Sequence, residues 1–264
     1  MDAMYVTHPA PRNEGERTGL HLDVRVLGAV EAARDGVPLA LGGQKQRAIL
    51  GVLLANIGRH VSADEIVDEV WRDAPPPSVK VSLHSYVSRL RAQLGGKEAL
   101  RRRGSAYRLC LPRHAVDAAR FERAADEGFA ELRRGRPDSA VGHFDRALDM
   151  WAGSPFADLH EYAFARHEAD RLGALRLTVL EERAGARLRL RDCGADPLLR
   201  KAWEENPMRE RLAARLMYTL YADGRQAEAV EVFRQTRSRL VEELGLDVSP
   251  ELSRAHMDII RRRV

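Results

Sequence analysis

At 264 residues, with 43 Lys+Arg against 39 Asp+Glu for a net charge of only +4, the chain is long enough for a sizeable core divided between two domains. Cys110 and Cys193 are its only cysteines, too few for a disulfide framework or a structural zinc site, and they fit idle thiols in a reducing compartment. No apolar run approaches the ~20 residues of a membrane span, and the N-terminus lacks the apolar core of a signal peptide, so a cytoplasmic protein without membrane contact is expected.

Residues 1–19 are polar and read as a disordered tail. From Leu22 the segment LDVRVL alternates, AVEAA follows, Asp35-Gly36 supplies a hairpin turn and VPLAL reads as a third short strand. A long helix rich in Leu, Ile and Val spans Gln44 to Ile57. Ser62, with Glu65 three positions on, forms the capping-box pattern at the start of ADEIVDEVW, which ends before Pro75-Pro76-Pro77. Ser78 is placed to help cap the next helix. There Leu83, Val87, Leu90 and Leu94 recur at helical spacing as one apolar stripe. The opposite face carries Ser82, His84, Ser85, Ser88 and Arg89, with Arg91 on its flank and no acidic residue. Gly95-Gly96 ends the helix, and Leu100 to Arg103 and Ala106 to Leu111 read as two strands closed around Gly104-Ser105.

Charge is more informative by segment than in total. Residues 20–112 hold 14 Lys+Arg and 9 Asp+Glu, whereas residues 113–264 hold 27 of each. Within 78–108 eight basic residues face a single acid, Glu98. A helix with a small polar face followed by an arginine-rich hairpin is what a winged-helix reader of double-stranded DNA needs. Ser82, His84, Ser85, Ser88, Arg89 and Arg91 are the candidates on the helix, and Arg89 has the planar fork that bonds a guanine edge or a phosphate bidentately. Lys97, Arg101, Arg102 and Arg103 would act on phosphates, giving affinity without sequence information. Lys45 and Arg47 lie near a helix start, whose dipole would add to their attraction for phosphate, although local carboxylates are equally open to them.

After Pro112 the pattern is almost purely helical. Gly135-Arg136, Ala140, Val141 and Phe144 recur at the same offsets as Gly224-Arg225, Ala229, Val230 and Phe233. A glycine turn, a small residue permitting close helix approach and an aromatic one turn later are the working parts of a tetratricopeptide-like helix pair. Trp71, Trp151 and Trp203 read as core. Enzymatic patterns are missing: LGGQKQ lacks the phosphate-loop spacing, His160-Glu161 and His167-Glu168 do not make H-E-x-x-H, and there is no G-x-S-x-G, so no catalytic residue, metal ligand or cofactor is expected. Two readings stand: a DNA-binding regulator, and a protein-interaction adaptor in which the repeats are primary and the winged helix is a docking module. The basic balance of 78–108 favours the first.

The phrases LGGQKQRAILGVLLANIGRHVSADEIVDEVW and PPPSVKVSLHSYVSRLRAQLG resemble the OmpR-type winged helix of Streptomyces antibiotic regulatory proteins. FADL (Phe156–Leu159), RLGALRLTVLEERAGARL (171–188), ENPMRERLAARLMYTLYADGRQAEAVEVF (205–233) and VEELGLDVSPEL (241–252) are similar to the bacterial transcriptional activation domain that follows it in that family. The resemblance covers residues 20–264. It implies a mainly α fold with small β content: an OmpR-type winged helix-turn-helix over 20–112, then an all-α tetratricopeptide-like domain over 113–264. It further implies a transcriptional activator of a secondary-metabolite cluster. Such an activator binds direct repeats near the −35 region as side-by-side protomers or a homodimer, and engages the σ and α subunits of RNA polymerase. Larger relatives carry a nucleotide- or phosphopeptide-binding domain beyond these two; with the sequence ending at Val264, such regulation in cis is not expected. Two departures stand out. Ala106 precedes Tyr107 where the family's wing usually has glycine, so an altered wing turn is expected. The stretch Cys193 to Lys201 is one residue short and carries Pro197, so a cut or shifted helix is expected there.

Overall fold

The computed structural model describes residues 22–72, 75–192, 194 and 196–262. The expected tail at 1–19 and Cys193 lie outside the described residues. The chain opens with an antiparallel sheet of β1 (Leu22–Arg25), β2 (Glu31–Arg34) and β3 (Val37–Pro38), in that order. The third strand is shorter than VPLAL: its register ends at Ala33 opposite Pro38, and beyond it the Leu39 N–H still donates to the Ala32 carbonyl at 2.8 Å. Helices α1 (Gln44–Ala55), α2 (Ala63–Trp71) and α3 (Val79–Leu94) follow. Ser62 Oγ accepts from the Glu65 N–H at 3.0 Å, so the predicted cap opens α2. Ser78 does not cap α3 with its side chain; its backbone lies at φ −94°, ψ 16°, outside the extended region a capping side chain requires.

The hairpin β5 (Leu100–Arg103) and β6 (Ala106–Leu109) forms a second sheet with β4 (Val61–Ser62), in the order β4-β6-β5. Ala106 pairs with Arg103 on one side and Ser62 on the other, in ordinary strand backbone; the turn itself is carried by Gly104 at φ +59°. The wing therefore closes as a regular hairpin without a glycine before Tyr107.

The rest of the described chain is helical: α4 (Asp117–Arg133), α5 (Pro137–Leu148), α6 (Ala163–Arg189), α7 (Pro197–Glu205), α8 (Glu210–Ala222), α9 (Gln226–Leu244) and α10 (Pro250–Ile260). The internal echo is structural. Gly135 and Gly224 both have positive φ (+71° and +77°) at the turns α4–α5 and α8–α9, and Ala140 and Ala229 are both fully buried. Gly128 lets the two helices of the first pair approach, since a Cβ there would collide with the Phe144 ring. Phe233 differs from its counterpart: it is half-buried and stacks on His256 of α10, ring centroids 3.8 Å apart. Pro197 does not cut a helix. It is the first residue of α7, a position where its missing N–H costs nothing, and Asp196 caps that helix by accepting from Leu199 N at 3.2 Å.

The apolar core runs without interruption from the N-terminal sheet into the helical region. Asp117 accepts from the backbone N–H groups of Val26 (2.9 Å) and Leu27 (3.0 Å), and Val24 bridges to Val116, which fastens β1 to the start of α4. Gly51 of α1 admits Leu159 and Phe164 so closely that a Cβ would lie 2.8 Å from Leu159. Trp203 is buried and donates to Thr236 Oγ1 at 3.0 Å, Trp151 packs edge-on to Phe121, and Trp71 lies half-buried against Tyr86. No helix of the described residues is long and apolar enough to cross a membrane.

Candidate nucleic-acid interface

The outward face of α3 is set by its buried stripe. Leu83, Val87, Leu90 and Leu94 pack against α1, α2 and the wing, and the helix stops where Gly95 takes the left-handed conformation at φ +112°. With 3.6 residues per turn, the far side then presents Val81, Ser85 and Ser88 along one line. His84 and Arg89 are exposed on its two edges and Ser82 is half-buried.

The wing is held against this helix by two contacts. Arg91 Nε donates to the Leu100 carbonyl at 2.8 Å. Tyr107 of β6, fully buried, meets the His84 ring edge-on at 6.4 Å. Within the hairpin, Arg102 lays its guanidinium over the Tyr107 ring at 5.9 Å and donates to Gly104 O at 2.8 Å. Burial pushes the Tyr107 phenol above its ordinary pKa, against the opposing pull of the Arg102 and Arg91 charges. Gln93 ties the far end of α3 back to the N-terminal sheet: its carbonyl accepts from Arg34, and its side chain bonds Gln46 and the Ala40 carbonyl. Helix and hairpin are thus one rigid, cation-bearing edge.

The predicted residues divide into three groups. Ser82, His84, Ser85, Ser88 and Arg89 lie together on α3, beside Lys97, Arg102 and Arg103. Among the described residues Arg89, Lys97, Arg103 and Arg108 have no carboxylate partner. Arg101 is exposed but pairs with Glu98 at 2.5 Å, which raises its pKa further, and Arg91 is engaged with the wing. Lys45 and Arg47 go elsewhere. Lys45 donates to the Val70 carbonyl at 2.6 Å and lies over the rings of Trp71 and Tyr162. Arg47 pairs with Asp158 at 2.8 Å. Both are half-buried, and a cation withdrawn from water takes the nearest acceptor. They join the winged helix to the helical region and do not extend the open cationic edge. Sequence reasoning passed over Val81, 71% exposed, although its spacing to Ser85 and Ser88 already placed it on the outward face.

Two family models match this architecture: one described as transcriptional regulatory protein, C terminal, over residues 38–109, and one described as bacterial transcriptional activator domain, over residues 116–260. The regulatory protein DnrI of Streptomyces peucetius is 33% identical over 251 residues, covering 91% of this chain and 92% of DnrI. The chain belongs to the Streptomyces antibiotic regulatory protein family. The regulatory protein AfsR of Streptomyces coelicolor is 36% identical over 253 residues, 95% of this chain but 25% of AfsR. The transcriptional regulatory protein EmbR of Mycobacterium tuberculosis is 31% identical, and this chain spans 64% of its length. The solved structure of EmbR with a low affinity phosphopeptide superposes with a TM-score of 0.87, over 92% of this chain and 66% of that one. The first matched segment runs from the end of β3 to β6 and the second from the residue before α4 to the end of α10.

Proposed function

We propose that this transcriptional regulator is a sequence-specific DNA-binding activator. In this reading α3 enters the major groove, with Ser82, His84, Ser85, Ser88 and Arg89 at base edges and adjoining phosphates. The hairpin β5–β6 lies on the neighbouring backbone, where Lys97, Arg102 and Arg103, and Arg101 once released from Glu98, neutralise phosphates. Arg91 holds the wing in place, and Lys45 and Arg47 hold the winged helix to its partner region. The single observation that carries the reading is the open face of α3 beside wing cations that have no carboxylate partner among the described residues.

Residues 20–112 would form the DNA-reading unit and 113–264 the unit that engages the σ and α subunits of RNA polymerase. The description of the second family model as an activator domain supports activation over repression. The relatives AfsR and DnrI are regulatory proteins of Streptomyces; as the family resemblance implies, the proposed role includes control of a secondary-metabolite cluster from the cytoplasm, through protomers set side by side on direct repeats near the −35 region. A genome-wide binding map of the tagged protein, against untagged cells, tests this. Sharp peaks over direct repeats upstream of a biosynthetic cluster are expected. No enrichment from a well-expressed protein would instead favour an adaptor role for the helical repeats. Inserting half a helical turn, ~5 bp, between repeats is expected to abolish cooperative binding.

A further inference from the structure

Every large apolar side chain of α3 but one turns toward the protein. Leu83, Val87, Leu90 and Leu94 are buried, and Val79 and Tyr86 pack half-buried against the core. Val81 is the exception, the most exposed of the large apolar residues among those described. It is the third residue of α3, and the N-terminal residues of a recognition helix are those that reach base edges. Beside it Lys80 is drawn sideways to Asp64 at 3.0 Å, which leaves the isopropyl group uncovered. One turn on stands Ser85 and two turns on Ser88, so a small apolar group and two hydroxyls form one line along the helix. Valine is a mediocre helix former, and an exposed position close to a helix start gives it no packing in return.

The most prominent apolar feature of the major groove is the C5-methyl group of thymine, set among hydrogen-bond donors and acceptors on the base edges. We infer that Val81 reads a thymine through that methyl group, an apolar base contact next to the hydrogen-bonding positions Ser85 and Ser88. The inference rests on the DNA-reading role proposed above. Val81 is then a specificity residue: its side chain contributes nothing to phosphate affinity and discriminates one base by shape and dehydration.

The test begins by selecting binding duplexes from a random-sequence library with the full chain. Each thymine of the selected site is then replaced in turn by deoxyuridine, which removes the methyl and leaves every hydrogen-bonding group in place. At one thymine the replacement is expected to weaken wild-type binding about fourfold, the worth of one buried methylene. Val81→Ala is expected to lose at least as much on the thymine site and to be indifferent to uracil at that one position. Helical content and thermal unfolding of the variant are expected to match wild type, because the side chain touches no core. A selected sequence on which Val81→Ala binds as tightly as wild type, or loses affinity independently of every thymine methyl, overturns the inference and leaves DNA reading intact. A library that yields no preferred sequence overturns the DNA-reading role, and the role of Val81 with it.

Discussion

Arg47 of α1 and Asp158, in the short turn before α6, form a 2.8 Å ion pair across 111 residues of sequence. The same carboxylate accepts the Val30 N–H at 2.8 Å, so one side chain of the helical region holds both the N-terminal sheet and α1. The winged helix is therefore not a bead on a linker. Helix α1 packs against both α3 and α6, so it stands directly between α3 and the helical region.

Because this pair is partly exposed, Arg47→Ala is expected to cost only about 1 kcal/mol of stability. It is also expected to leave the salt dependence of DNA affinity at the wild-type slope. Denaturant melts and a salt titration check both halves, and a slope shallower by one phosphate's worth would return Arg47 to the DNA surface.

Asp117 is the more demanding joint. Its buried carboxylate accepts from Val26, Leu27 and Ala118, the last at 2.7 Å, and no water replaces it cheaply. Asp117→Ala leaves the Val26 and Leu27 amides without an acceptor, at about 1–3 kcal/mol each. Equilibrium unfolding should show a loss at the upper end of what single substitutions cause, and faster amide exchange should appear first at Val26 and Leu27. Unchanged exchange there would mean that β1 is held by its other contacts.

Gly128→Ala tests the repeat geometry. The new Cβ would overlap the Phe144 ring, which is itself fully buried against Phe129 at 5.3 Å, so α4 and α5 must separate. A destabilisation of about 1–3 kcal/mol is expected. Gly142→Ala, where a Cβ meets open space, is the matched control and should be neutral or stabilising. Equal effects of the two substitutions would remove the close approach from the account.

The turn between those helices also carries a pH signature. Glu131 accepts from Arg136 and Arg134, and its carboxyl is held at about 2, below the ordinary 4.5. A lowered carboxyl pKa contributes stability above pH 4.5 that is lost as pH falls toward about 2. Glu131→Gln removes that contribution, so its thermal midpoint should fall less steeply than wild type between those values. Parallel profiles for the two proteins would contradict the assignment.

The sequence was most legible where local signals agree. The stripe of Leu83, Val87, Leu90 and Leu94, closed by Gly95, set the buried face and the C-terminal end of α3, and Ser62 with Glu65 set the start of α2. It was least legible where partners are distant. Lys45 and Arg47 read as phosphate ligands or as partners of local carboxylates, because the Val70 carbonyl, Tyr162 and Asp158 that claim them are invisible to local pattern. Strand β4 escaped notice because two residues have no periodicity, and because Ser62 serves both as its last residue and as the cap of α2. The wing's Ala106 looked like a departure, yet the positive φ falls at Gly104, two residues earlier. The open edge itself was legible because it depends on composition: eight cations and one acid between residues 78 and 108.

The most direct test of the central claim is the salt dependence of duplex affinity for wild type and for Arg103→Ala, measured by titration from low to moderate salt. If the wing neutralises phosphates, log K falls linearly with log salt, and the variant's slope is shallower by ~0.9. Identical slopes for the two proteins would mean that the wing does not touch the backbone, and the placement of α3 in the groove would fall with it.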